Sequence, residues 1–182
     1  MDRDGTLIEE SGYLSELSRL VFFPYSVDAV RQLNRGGFAV VVITNQAGIA
    51  RGIVTEAFVA TAHQHIAARM AAGGAHIDAF YHCPHHPHGT IPALRITCEC
   101  RKPMPGLITR AAADLDLDLS RSFMVGDRLH DLEAGRTAGT GTVLVRTGYG
   151  AADERIENPT IRPHAVADNL AGAAAWILQN RG

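Results

Sequence analysis

A chain of 182 residues with 46% hydrophobic and 20% charged residues can bury a sizeable core in one domain and has an ordinary globular composition. Its formal net charge of −2 gives no general basic field, which excludes nucleic-acid binding through bulk charge. No apolar run approaches the roughly 20 residues of a spanning helix, and Met1-Asp2-Arg3-Asp4 is too charged to open a signal peptide, so no membrane partner and a cytoplasmic location are expected.

Asp2-Arg3-Asp4-Gly5-Thr6 sets two carboxylates one residue apart beside a glycine and a hydroxyl. In an extended segment alternate side chains share a side, so one carboxylate can attack or bind a metal while the other handles protons. A strand would normally carry such a pair, yet only Met1 precedes it. The first central strand is therefore expected to be absent or truncated, and a short apolar segment is expected ahead of Met1 in the working protein. Val27, Val30 and Leu33 recur at helical spacing, and Gly36-Gly37 supplies a stop. Phe38-Ala39-Val40-Val41-Val42-Ile43-Thr44 reads as a strand buried on both faces, ending at Asn45-Gln46.

Thr55 and Glu56 open a helix through Ala72, closed by Gly73-Gly74, and residues 77–81 suit a short strand. Residues 105–115 suit a helix with proline in its first turn. Ser122-Phe123-Met124-Val125 is a further buried strand leading to Gly126-Asp127; Leu129–Ala138 reads as a helix and Thr142-Val143-Leu144-Val145 as a strand. A last helix covers Leu170–Gln179, with Trp176 as a packing residue. Two stretches look irregular: residues 82–104, rich in His, Pro and Cys, and residues 148–163, which carry no assignable motif. The alternation predicts an α/β fold over residues 1–182, a Rossmann-like parallel sheet with helices on both faces and ligands at the carboxyl ends of its strands. No inserted cap domain is evident, which implies an open site walled by the cysteine-rich loop and the segment after Asp4.

Three polar clusters fall at the expected strand ends: Asp2/Asp4, Thr44-Asn45-Gln46, and Gly126-Asp127 with Asp131. Arg101-Lys102 precedes a helix and can bring two cations to the same crevice. Carboxylates, a hydroxyl and a lysine together suit magnesium-assisted phosphoryl transfer, because metal and cations offset charge on the transferring group. Cys83-Pro84-His85 and Cys98-Glu99-Cys100 add a Cys-x-His pair and a Cys-x-Cys pair, separated by twelve intervening residues. Four such ligands match tetrahedral zinc in a closed, structural site that would pin loop 82–104 and so place Arg101-Lys102. The three cysteines leave one over from any disulfide. Free loop cysteines are the bland alternative, and His82, His86 and His88 compete with His85 as ligands.

The four phosphoryl motifs, in this order, resemble the haloacid dehalogenase superfamily of phosphotransferases. That resemblance implies that Asp2 is a nucleophile forming an aspartyl-phosphate, and that Asp4 protonates the leaving alcohol and then activates water. Thr44 and Lys102 would hold the phosphoryl oxygens. Asp2, the backbone carbonyl of Asp4, and Asp127 would coordinate Mg²⁺, with Asp131 behind them. The zinc loop narrows the resemblance to the subgroup of heptose-bisphosphate phosphatases and histidinol-phosphatases. Its long spacing and the run Thr44-Asn45-Gln46-Ala47-Gly48-Ile49-Ala50-Arg51-Gly52 favour the heptose branch, because the histidinol branch has a shorter loop and lacks the Ile-Ala-Arg-Gly continuation. Removal of the 7-phosphate of a heptose 1,7-bisphosphate is the activity this implies, with a monomer and a small phosphorylated sugar as substrate. On the same resemblance Glu10, Ser11, Gly12, Tyr13, Asn45, Gln46, Ala47, Arg101 and Arg128 would bind substrate, Arg128 at the distal phosphate. Ala47 stands where the family commonly has serine, which removes a hydroxyl and spares the backbone amide. A different class of reading is an inactive, zinc-stabilised phosphate-binding protein.

Overall fold

A computed structural model of the chain describes residues 1–156 and 160–180, so residues 157–159 of the second irregular stretch lie outside the described residues. Val41–Asn45 (β1) pairs in parallel with Ala79–Cys83 (β2). Phe123–Gly126 (β3), Gly141–Val145 (β4) and Ala165–Ala167 (β5) form a second parallel sheet in that order. Parallel strands covered on both faces require continuous apolar runs, and β1 and β4 are buried over four of their five residues.

Two residues join the sheets. The Met1 nitrogen donates to the Val41 carbonyl (2.7 Å) and the Met1 carbonyl accepts from Ile43 (2.8 Å), while the Asp2 amide donates to Val125 (2.8 Å). Among the described residues no strand precedes β1, and Met1-Asp2 bridges β1 and β3 through these backbone hydrogen bonds. Below this bridge lies a cavity of about 100 Å³ lined by apolar groups including Met1, Val40, Ile43, Met124, Val125 and Ile177.

Ser26–Arg35 (α1), Glu56–Ala72 (α3), Gly106–Leu115 (α4), Leu129–Ala138 (α5) and Leu170–Gln179 (α7) occupy the five expected helical stretches; the short Ala47–Ala50 (α2) and Gly150–Asp153 (α6) fall between them. Local chemistry explains several ends. Thr55 accepts from the Phe58 amide (3.1 Å), Asn169 accepts from Ala171 and Gly172, and Gly139 closes α5 at φ +88°. Val30, Ile66, Val42 and Leu170 share one core, with Trp176 packed edge-on to Phe123; Val41, Ile43, Leu107 and Ala134 form another. Among the described residues no helix is long and apolar enough to cross a membrane.

Candidate active site

The carboxyl ends of β1 and β3 flank Asp2 and open into a cleft of about 370 Å³. Thr44 and Asn45 end β1, and Asp127 follows β3. Asn45 clamps the incoming loop, donating from Nδ2 to the Lys102 carbonyl and accepting from the Lys102 amide, both at 3.0 Å. So held, Lys102 Nζ lies 2.6 Å from Asp2 Oδ1, 2.7 Å from Asp131 Oδ1 and 2.8 Å from the Ile43 carbonyl. Burial alone would lower its pKa, but Asp131 and Asp2 outweigh that and hold it above the ordinary lysine range. The lysine is thus a buried cation set against the first carboxylate.

Asp4 shares the cleft with Asp2, although the segment turns away from an extended path at Gly5 (φ +78°). Its carboxylate accepts from Arg3 Nε (3.1 Å) and from Gln46 Nε2 (3.1 Å), and Gln46 also donates to Thr44 Oγ1 (2.8 Å). Arg3 is only 1% exposed. Behind it His63 Nε2 lies 3.4 Å from Arg3 Nη1. Burial, then the Arg3 charge, pushes the His63 pKa down to about 3, so its ring is neutral and can accept from the guanidinium. Strict alternation turns Arg3 away from both carboxylates; in the structure its guanidinium returns onto Asp4, which no sequence signal indicates.

Asp127 accepts from the Tyr149 amide through Oδ2 (2.8 Å), while its Oδ1 is buried without a hydrogen-bond partner. A β-carbon at Gly5 would stand 2.3 Å from Oδ2, and one at Gly148 2.1 Å, so both positions need glycine for the backbone to close on this carboxylate. Burial first, and the Asp2 charge second, push Asp127 up to about 8. Oxygens of Asp2, Asp127 and Asp131 lie within 4.8 Å of one another. Crowded carboxylates with an unpartnered buried oxygen fit a hard divalent cation with oxygen ligands.

Glu10, Gly12, Tyr13, Asn45, Gln46, Ala47, Arg101 and Arg128 all line the cleft. Ser11 is not among the lining residues; its carbonyl accepts from Arg19. Burial raises the Glu10 carboxyl, whose Oε1 accepts from the Gly12 amide. His130 and Tyr149 line the cleft without having been singled out in the sequence.

Across the cleft wall, Cys83, His85, Cys98 and Cys100 converge. Cys100 Sγ lies 3.1 Å from Cys83 Sγ and 3.3 Å from His85 Nδ1, and the Cys98 and Cys100 sulfurs are 3.2 Å apart. All three cysteines are free. None of the rival histidines joins this cluster: His82 pairs with Glu56 (2.6 Å), and His86 Nδ1 accepts from the His88 amide (3.0 Å). Burial drives the Cys83 thiol well above its ordinary range, whereas hydrogen bonds from Cys100 and Cys83 lower that of Cys98, and the donor set of three sulfurs and one imidazole fits tetrahedral zinc.

Fold and site together define a hydrolase of the haloacid dehalogenase type. The HAD-hydrolase-like family model matches residues 99–173. The chain is 45% identical over 181 residues to the D-glycero-beta-D-manno-heptose-1,7-bisphosphate 7-phosphatase of Escherichia coli K12, covering 99% of this chain and 87% of that protein. It is 44% identical to the protein of the same name from Yersinia pestis, over 81% of this chain and 79% of the other. A D,D-heptose 1,7-bisphosphate phosphatase from B. bronchiseptica, solved with magnesium and phosphate, superposes with a TM-score of 0.86 at 33% identity, over 98% of this chain and 96% of that one. This chain belongs to the HAD-like hydrolases, in the family of these heptose-bisphosphate phosphatases.

Proposed function

We propose that this chain removes the 7-phosphate of D-glycero-D-manno-heptose 1,7-bisphosphate and so supplies an intermediate for nucleotide-activated heptose. The observation that carries the reading is Asp2, held at 2.6 Å by the buried Lys102 at the floor of a cleft that also contains Asp4 and the Asp127/Asp131 pair. The relatives named above support the substrate.

In this mechanism an Asp2 oxygen attacks phosphorus and the bond to the sugar oxygen breaks. Asp4 gives that oxygen its proton, then takes one from the water that attacks the aspartyl-phosphate, which frees Asp2 and phosphate. Lys102 and Thr44 hold the phosphoryl oxygens, and Gln46 and Arg3 orient Asp4. Asp2, the Asp4 carbonyl and Asp127 would hold Mg²⁺, which supplies charge stabilisation for the transferring group. Zinc held by Cys83, His85, Cys98 and Cys100 would keep the Arg101-Lys102 strip in place.

The test is Mg²⁺-dependent phosphate release from the heptose bisphosphate, from histidinol phosphate and from simple esters, with Asp2→Asn as control. Preference for the bisphosphate is expected. Preference for histidinol phosphate would replace the substrate assignment, and absence of turnover on every ester would favour a phosphate-binding protein.

A further inference from the structure

Arg128 follows Asp127 directly, yet its side chain is built into a separate support. The guanidinium carbon lies 4.5 Å from the centroid of the Tyr149 ring, and Nε lies 3.2 Å from Asp153 Oδ2. Asp153 is itself 8% exposed and fixed by the Leu129 amide, which donates to the same oxygen at 2.8 Å. The Arg128 amide donates to Asp131 Oδ2 (3.1 Å), and the Tyr149 amide to Asp127 Oδ2 (2.8 Å). Both ends of the stacked pair are therefore tied to the acidic cluster.

A long cationic side chain free in solvent would have to be ordered by each substrate it meets. Here one edge of the fork is used by Asp153 and one face by Tyr149. Among the described residues neither terminal nitrogen makes a hydrogen bond, and the side chain is 38% exposed where it lines the cleft. A planar fork with fixed orientation and free donors suits an anionic group with paired oxygens. Lys102 is paired with Asp2 and Asp131, where the proposed reaction takes up the transferring phosphate, so Arg128 is available to a second one.

We propose that Tyr149 and Asp153 are positioning residues that hold Arg128 as the reader of the substrate's second phosphate, and so set the preference for sugar bisphosphates over monophosphates. The inference rests on the proposed phosphatase reading for the identity of the sugar. The residues lie in the stretch 148–163, where α6 carries Asp153 back against the start of α5.

The matched substrates are heptose 1,7-bisphosphate and heptose 7-phosphate. Tyr149→Leu and Asp153→Asn should each lower the ratio of their kcat/KM values by about tenfold, through KM for the bisphosphate, because stacking and a charged partner are each worth about that factor in placing an arginine. Tyr149→Phe keeps the ring and should keep the ratio. Equal losses on both substrates would mean a merely structural role and overturn the proposal. Calorimetric binding of both sugars to Asp2→Asn proteins, with and without the second substitution, separates this from the catalytic reading. Tighter bisphosphate binding that depends on Tyr149 and Asp153 upholds the proposal even without turnover, and equal binding of the two sugars refutes it.

Discussion

Asp127 gives the sharpest test of how the acidic cluster takes up a cation. Burial and the nearby Asp2 raise its carboxyl from an ordinary 3.8 to about 8. Between those values the native state keeps a proton that the unfolded chain has released. The sign follows: metal-free stability falls as pH rises from about 4 to about 8, the opposite of an ordinary salt-bridged carboxylate. At pH 7 only about one Asp127 in ten is ionised, so Mg²⁺ binding should release close to one proton, and apparent affinity should rise about tenfold per pH unit until it levels off near pH 8. Calorimetric Mg²⁺ titrations near pH 6, 7 and 8, in buffers of different ionisation enthalpy, count the protons directly. Asp127→Asn should abolish both the release and the pH slope. An affinity flat across that range with no proton released would refute the argument that Asp127 is held protonated until a cation arrives.

Lys102→Met leaves Asp2 and Asp131 buried without the cation now 2.6 and 2.7 Å away, so a loss of about 3–5 kcal/mol in urea unfolding is expected. Phosphate release should fall by about 10²–10³ in the same protein, as when one charge-stabilising donor is removed; wild-type turnover would remove Lys102 from the mechanism. Gly148→Ala puts a β-carbon 2.1 Å from Asp127 Oδ2 at φ +55°, and should weaken Mg²⁺ affinity in the same titration while far-ultraviolet circular dichroism stays native. Cys98→Ser breaks the four-ligand set, so metal analysis should find zinc lost, and KM should rise because Arg101-Lys102 follow Cys100 directly. Full zinc retention would show that three ligands suffice.

The five long helices and four of the strands were legible because their apolar residues recur at helical or strand spacing between glycine stops. β5 was not, since Ala165-Val166-Ala167 has too little β-branched character to read as a strand. It exists because β4 offers an edge: His164 donates to the Thr142 carbonyl and Arg146 to that of Ala167, each at 2.9 Å. The same holds within the site. Asp2, Thr44, Lys102 and Asp127 stood out as polar residues at strand ends or helix starts, whereas Arg3, His63, Tyr149 and Asp153 carry no local signal.

The order of residues alone specified the donor groups: two carboxylates around Arg3, a lysine beside a Cys/His loop, and an aspartate after a buried strand. Met1-Asp2 bridges the two sheets with three backbone hydrogen bonds, a link that only the folded chain reveals. Folding settled which of those groups face one another and in what charge state. Burial and the distance between charges are properties of packing: they keep Lys102 charged and His63 neutral, raise the carboxyl of metal-free Asp127, and fix Arg128 against a ring 21 positions further along the chain.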